Sequence, residues 1–184
     1  MLVAQIENPV VMETHGGVGK IYNKCYSDLA PGVVFEKNRK KCEFLVKQRP
    51  SWAVYCVDSE KALIAGVGFH LPVNFFDVDP YGDPWPTINA IFDNKDNLPA
   101  KFGLVVNDGL KRFLMMGRGW ASKSLAGWVE KVGNKGMAEN YAKIVKEEIT
   151  NRVNKINGEI KKWALHSSGH GGQMTHYAAV LVRK

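Results

Sequence analysis

The sequence predicts an α/β fold: a three-layer, doubly wound sheet, mostly parallel, followed by an antiparallel hairpin. Three observations predict it. Apolar, β-branched runs recur at an even interval, each ending in an acid. Segments with helical periodicity separate several of them. Residues 160–184 read as two strands around a loop of Ser, Gly and His.

The runs come in order. "PVVME" ends at Glu13, "GVVFE" at Glu36, "WAVYCVD" at Asp58, "VNFFDVD" at Asp79 and "FGLVVND" at Asp108. The first four acids are 23, 22 and 21 residues apart. That interval fits one buried strand plus one covering helix, the repeat of a parallel sheet. The runs are apolar throughout, as strands covered on both faces should be. Between them, "NRKKCEFLVKQR" puts Cys42, Leu45 and Val46 on one helical face. "SEKALIAG" opens with Ser59 as its expected N-cap. After the fifth strand an irregular stretch is expected over 109–136. A periodic helix follows, with Met137, Tyr141, Ile144, Val145, Ile149, Val153 and Ile156 on one stripe and Gly158 as its stop. The sequence has no internal repeat and no low-complexity linker, so a single domain over 1–184 is expected.

Composition narrows the class. The chain has 184 residues, 45% hydrophobic and 23% charged, ordinary for a globular protein. It has no apolar run of about 18 residues, so no membrane span is expected. "MLVAQIENPV" lacks the features of a secretory leader. Cys25, Cys42 and Cys56 are odd in number and widely spaced, which predicts buried free thiols in a reducing cytoplasm. Residues 1–108 carry 11 Lys/Arg against 13 Asp/Glu, a balance of −2; residues 109–184 carry 14 against 5, a balance of +9. A basic half beside a near-neutral half suits a polyanionic partner.

Acids at the carboxyl ends of successive strands mark the edge where open α/β sheets bind ligands. Carboxylates gathered there need donors, and a ligand rich in hydroxyls and amines supplies them. The stretch "ETHGGVGKIY" follows the first strand. A phosphate-binding P-loop would need Gly at position 14 and Ser or Thr at position 21, where Thr14 and Ile21 stand. A dinucleotide fingerprint would need Gly where Tyr22 stands.

A third pattern fits: E/D-x-G-x-G-x-G, with Glu13 as the acid, His15 at the first glycine position, and Gly17 and Gly19 at the others. Here the chain resembles the class I S-adenosylmethionine-dependent methyltransferases, over about residues 9 to 110. His15 departs from the pattern; it is expected to take the tight turn because His visits positive φ more often than β-branched residues do. The resemblance implies a Rossmann-like sheet with a reversed last strand, which the tail hairpin fits. It implies S-adenosylmethionine as cofactor, held by Glu13, Thr14, His15, Gly17 and Gly19 in the loop. Glu36 and Lys37 would stand at the ribose, where a carboxylate accepts two hydrogen bonds from a diol. Asp58 and Ser59 would stand at the adenine, and Asp79 would close the site.

The fourth strand runs into "FFDVDPYGDPWP". Amino-directed members of that family carry (D/N/S)-PP-(Y/F) at this point. The closer likeness is to D-x-D-P-(F/Y)-G-(S/T)-P of the tRNA guanine-N2 dimethyltransferases, matched by Asp77, Asp79, Pro80, Tyr81, Gly82 and Pro84, with Asp83 in place of the hydroxyl residue. The resemblance implies Asp79, Pro80 and Tyr81 as the catalytic turn. The Asp79 carboxylate and Pro80 carbonyl would accept both hydrogens of an exocyclic base amine, freeing its lone pair, while Tyr81 stacks on the base. No metal is required. His166, His170 and His176 have workable spacing for one, but their loop offers no Cys or carboxylate.

Residues 110–135 interleave cations and aromatics. Lys111, Arg112, Arg118, Trp120 and Lys123 are the expected substrate contacts, with phosphates meeting cations and bases meeting rings. The competing expectation is that Trp120 and Trp128 pack as core. The partner implied is nucleic acid, RNA ahead of DNA. The chain is short beside the tRNA enzymes it resembles, so either the 110–135 segment grips the substrate or a second copy or partner protein does. Two other readings stand: a methyltransferase of small molecules or proteins, and a non-catalytic cofactor-binding module.

Overall fold

The computed structural model describes residues 2–120 and 122–184. Seven strands form one sheet: β1 (Val11–Glu13), β2 (Gly32–Phe35), β3 (Trp52–Tyr55), β4 (Phe75–Val78), β5 (Lys101–Asp108), β6 (Gly158–Ser168) and β7 (Met174–Arg183). Their spatial order is β3-β2-β1-β4-β5-β7-β6. The first five are parallel; β7 runs antiparallel between β5 and β6. The order reverses at β1, so the carboxyl ends of β1 and its neighbours β2 and β4 open onto one crevice.

Alternate residues of each run go to opposite faces, which is why the runs are apolar throughout. Met12, Val33, Phe35, Phe76 and Val106 enter the larger core cluster. Val11, Val34 and Phe75 enter a smaller one with Leu45 and Trp52. On the larger side lie α2 (Ser59–Ile64), α3 (Trp85–Asp93) and α5 (Ala126–Lys155). On the smaller side lie α1 (Arg39–Gln48) and a single π-helical turn, Tyr22–Tyr26, after the glycine loop.

Several expectations are corrected. Cys42 and Leu45 are buried on α1, but Val46 is 55% exposed and does not join their face. Asp58, not Ser59, caps α2: its carboxylate accepts the Lys61 N–H at 3.3 Å, and Ser59 is the first helical residue. The stretch 109–136 is largely helical. It holds α4 (Leu110–Met115) and the start of α5, which breaks at Gly133 (φ 67°). The Met137-to-Ile156 stripe is buried as expected. The stop is Asn157 (φ 54°) rather than Gly158, which opens β6. Of the cysteines, Cys42 is buried, Cys25 half-buried and Cys56 exposed. One element was not anticipated: α3 begins in a proline-rich corner, where Pro86 occupies an early helical position that has no N–H partner to lose.

Candidate functional site

The crevice is a cleft of about 550 Å³, within the roughly 300–1,000 Å³ typical of small-molecule sites. Of the residues expected at a cofactor, Glu13, Thr14, His15, Gly17, Glu36, Lys37, Asp58, Ser59 and Asp79 line it, as do Pro80 and Tyr81. Gly19 does not line it; its N–H donates to the Gly16 carbonyl at 2.9 Å within the loop. Lys20 and Lys41, which the sequence pattern did not single out, line it as well.

The loop after β1 is tied down by backbone bonds. Thr14 N–H donates to the Asp77 carbonyl and Gly16 N–H to the Phe35 carbonyl, both at 2.9 Å. Gly16 carries a close approach that the motif did not assign to it: a Cβ there would come within 2.5 Å of Val34 and 2.7 Å of Leu45. Gly17 and Gly19 supply the positive φ, at 55° and 72°. His15 is not among the positive-φ residues, so the tight turn expected of it falls to these glycines instead. At Gly17 a Cβ would meet nothing within 4 Å, so a ligand has room to approach its backbone.

His15 joins this loop to α2. Thr14 Oγ1 uses its proton on the Asp77 carbonyl at 3.0 Å, so the 2.9 Å contact to His15 Nδ1 requires the ring to donate. With Nδ1 protonated, neutral His15 accepts from the Ser59 hydroxyl at Nε2, at 3.2 Å. Burial pushes the imidazole down to about 4 despite Glu36 and Asp58, so the ring is neutral near pH 7.

Glu36 spans two segments. Its Oε2 accepts the Gly17 N–H at 2.9 Å and its Oε1 the Asn38 N–H at 2.8 Å. One carboxylate thus positions the loop and the start of α1 and keeps a free lone pair on each oxygen. Asp58 combines a capping bond with a place in the cleft wall.

Beneath the cleft lies a buried charge cluster that the sequence did not reveal. Glu13 and Asp77 are neighbours in the β1–β4 register, and each is 1% exposed. Arg49, fully buried just after α1, donates to Glu13. Its guanidinium lies 4.3 Å from the Tyr22 ring centroid and 5.2 Å from that of Trp52. Tyr26 donates to Asp77 at 2.6 Å. Desolvation pushes Glu13 up to about 7 against the pull of Arg49, and Asp77 up to about 6 against that of Tyr26. One cation between two buried acids leaves them competing for a proton. Asp108 belongs to neither group. It is buried, accepts from Tyr141 at 2.6 Å and from the Leu110 N–H at 2.9 Å, and does not line the cleft.

At the end of β4 the chain turns at Asp79-Pro80-Tyr81-Gly82. Gly82 has φ 119°, its N–H donates to the Pro80 carbonyl at 3.0 Å, and its own carbonyl accepts the Gly109 N–H at 3.0 Å. Asp83 accepts the Trp85 N–H at 2.9 Å and leads into α3. Tyr81 is 98% exposed at the mouth, a ring with no packing partner. Asp79 is half-buried; burial pushes its carboxyl up, while an Asn107 hydrogen bond and His176 pull it down.

The basic residues stand apart. Lys111 and Arg112 lie on α4, with Arg118 and Lys123 exposed beyond it, and none of them lines the cleft. The expected alternation of cations with free rings is corrected. Trp120 packs on Tyr141 at 5.6 Å, and Trp128 packs against the core and donates to Glu148 at 2.9 Å. Among the described residues, no group of three His, Cys, Asp or Glu side chains is arranged to hold a metal ion, and no helix is long and apolar enough to cross a membrane.

No protein-family model and no curated protein sequence matches the chain. Solved structures do. Trm1 from Pyrococcus horikoshii, in complex with S-adenosyl-L-methionine, superposes with a TM-score of 0.65 at 12% identity, over 96% of this chain and 51% of that one. TYW2 from M. jannaschii, in complex with AdoMet, gives 0.57 at 13% identity, over 97% and 70%. Magnesium protoporphyrin IX methyltransferase (ChlM) from Synechocystis PCC 6803, with bound SAM, gives 0.57 at 13%, over 100% and 74%. Strand order, reversed β7 and these superpositions together establish that the chain has the class I methyltransferase fold.

Proposed function

We propose that the protein is an S-adenosylmethionine-dependent N-methyltransferase acting on an exocyclic amine of a nucleobase, in RNA ahead of DNA. The observation that carries this is one of placement. The Asp79-Pro80-Tyr81 turn stands on the rim of the same cleft as the glycine loop and the Glu36 and Asp58 carboxylates. The cleft's chemistry suits the cofactor: open backbone at Gly17, acceptors for a diol at Glu36, and an acid and a hydroxyl at Asp58 and Ser59. The bound cofactor supplies a methyl group already activated on its sulfonium. The protein's own contribution is orientation. Asp79 and the second lone pair of the Pro80 carbonyl accept the amine hydrogens, and the free Tyr81 ring stacks on the base. A base within a folded strand must first be extruded.

Lys111, Arg112, Arg118 and Lys123 belong to the basic half of the sequence and meet phosphates; Trp120 has a structural part. Standing outside the cleft lining, they suit a long substrate, or a second copy or partner that completes the grip. The three free thiols suit a reducing cytoplasm. A second reading, a small-molecule substrate, is favoured by the likeness to ChlM, whose name declares one.

Incubation with methyl-labelled cofactor and separate RNA, DNA and protein pools tests the proposal. Label should appear in RNA, fall steeply with added salt, and vanish in Asp79→Ala while cofactor binding persists. Label confined to protein, or salt-insensitive transfer to a small molecule, overturns the substrate class. Full turnover by Asp79→Ala removes that residue from the reaction.

A further inference from the structure

We propose that Asn107, His176 and Ser168 are positioning residues that fix the Asp79 carboxylate as a hydrogen-bond acceptor. The inference rests on the reading of Asp79 as the group that receives an amine hydrogen. The sheet register assembles the row. The last paired residues of β4 and β5 are Val78 and Val106, so Asp79 and Asn107 stand side by side one residue further on. Asn107 pairs with His176 across β5 and β7, and Ser168 of β6 closes on the same ring. Four polar side chains from four adjacent strands thus line up at the carboxyl edge of β4 and β5, on the sheet face that carries Glu13 and Asp77.

The direction of each bond follows from the donor inventory. Asn107 Oδ1 accepts and cannot donate, so at 2.5 Å the His176 Nδ1 must carry the proton. That leaves the Asn107 NH₂ as the donor group beside Asp79, its neighbour in the continued β4–β5 register, where it holds the Asp79 carboxyl down. His176 Nε2 meets the Ser168 hydroxyl at 2.6 Å; it accepts there when the ring is neutral and donates when the ring is charged. Nδ1 keeps its proton in both states, so the amide of Asn107 is locked whatever the charge on His176. The reversed amide would set an oxygen against the Asp79 carboxylate. His166 stacks on His176 at 6.3 Å and backs the ring. Neither Asn107 nor His176 lines the cleft, so both act through Asp79.

The row has an electrostatic purpose. Burial drives Asp79 toward its protonated form, which donates where an acceptor is needed. The other charged groups facing it, Glu13 on β1 and Asp77 on its own strand, are acids that repel a further negative charge. Asn107 and His176 oppose both effects.

The test is a carboxyl-carbon NMR titration of Asp79 in the cofactor-free protein, in wild type, Asn107→Ala and His176→Ala, beside methyl-transfer rates and calorimetric cofactor titration. The Asp79 midpoint should move to higher pH in both variants, and more in Asn107→Ala. The turnover rate should fall about tenfold or more, as expected when a carboxylate loses a hydrogen bond, with cofactor affinity unchanged and the acid limb of the rate profile moving up with the midpoint. His176→Gln, whose amide still donates to Asn107, should restore much of the rate. An Asp79 midpoint that stays put in both variants overturns the inference, whatever the rates do. Full turnover by Asp79→Ala overturns the underlying reading instead, so the two failures are separable.

Discussion

Replacing Arg49 with Met should destabilise the protein by an amount that grows with pH. Arg49 and Glu13 are both buried, and the guanidinium also packs on Tyr22 and Trp52. At pH 8 the wild-type Glu13, with its pKa of about 7, is mostly ionised beside its cation. In the variant it must stay as an unpaired buried anion or hold a proton above that pKa. Breaking a buried pair from one side costs about 3–5 kcal/mol. The protonated alternative limits the rise to about 1.4 kcal/mol for each pH unit above 7. At pH 5 Glu13 holds its proton in both proteins, and the loss contracts to packing and cation–π contact, about 1–2 kcal/mol. Urea unfolding of wild type and Arg49→Met at several pH values from 5 to 8 measures the gap. It should widen through neutrality, and the double variant Glu13→Gln/Arg49→Met, with no buried acid left to ionise, should gain on the single variant as pH rises. A gap that is constant with pH, or a double variant as unstable as the single one at pH 8, refutes the reasoning.

Two further outcomes follow from the same geometry. Glu36→Ala strands the Gly17 and Asn38 N–H groups, so stability should drop by about 1–3 kcal/mol and calorimetric affinity for S-adenosylmethionine by roughly tenfold or more; unchanged affinity would place the ribose elsewhere. Asp108 titrates at about 7 when folded against an ordinary 3.8, so between those values the folded chain holds a proton that the unfolded chain has released. Its contribution to stability is full below about pH 4 and is lost as pH rises through 7. Asp108→Asn cannot ionise and should gain on wild type as pH rises from 5 toward 7, approaching about 1.4 kcal/mol per unit in denaturant titrations, and level off above it. A difference that does not vary with pH would count against it.

What the sequence made legible was whatever depended on short-range pattern. Strand runs show as β-branched stretches because both faces of the sheet are covered. Glu36 and Asp58 could be placed because a strand end fixes where the next side chain emerges. Arg49 could not: a lone cation after a helix looks like any solvated one, and its aromatic cage comes from two distant segments. Asp108 ends a strand as the rim acids do, yet it turns inward to Tyr141, while its neighbour Asn107 stands beside Asp79 on the other face of the sheet. That one-residue alternation depends on the register with β4 and β7, which no local pattern reports. Trp120 and Trp128 looked like stacking platforms because indoles suit bases and cores alike.

The insertion of β7 between β5 and β6 has a consequence for biosynthesis. On the ribosome, β1 to β5 can emerge and pair early, yet β6 has no neighbour in the sheet until residues 174–183 leave the exit tunnel. The nascent polypeptide therefore waits with an open flank, a state in which aggregation and chaperone capture compete with completion. The Asn107–His176 contact, and whatever activity depends on it, arrives only with β7.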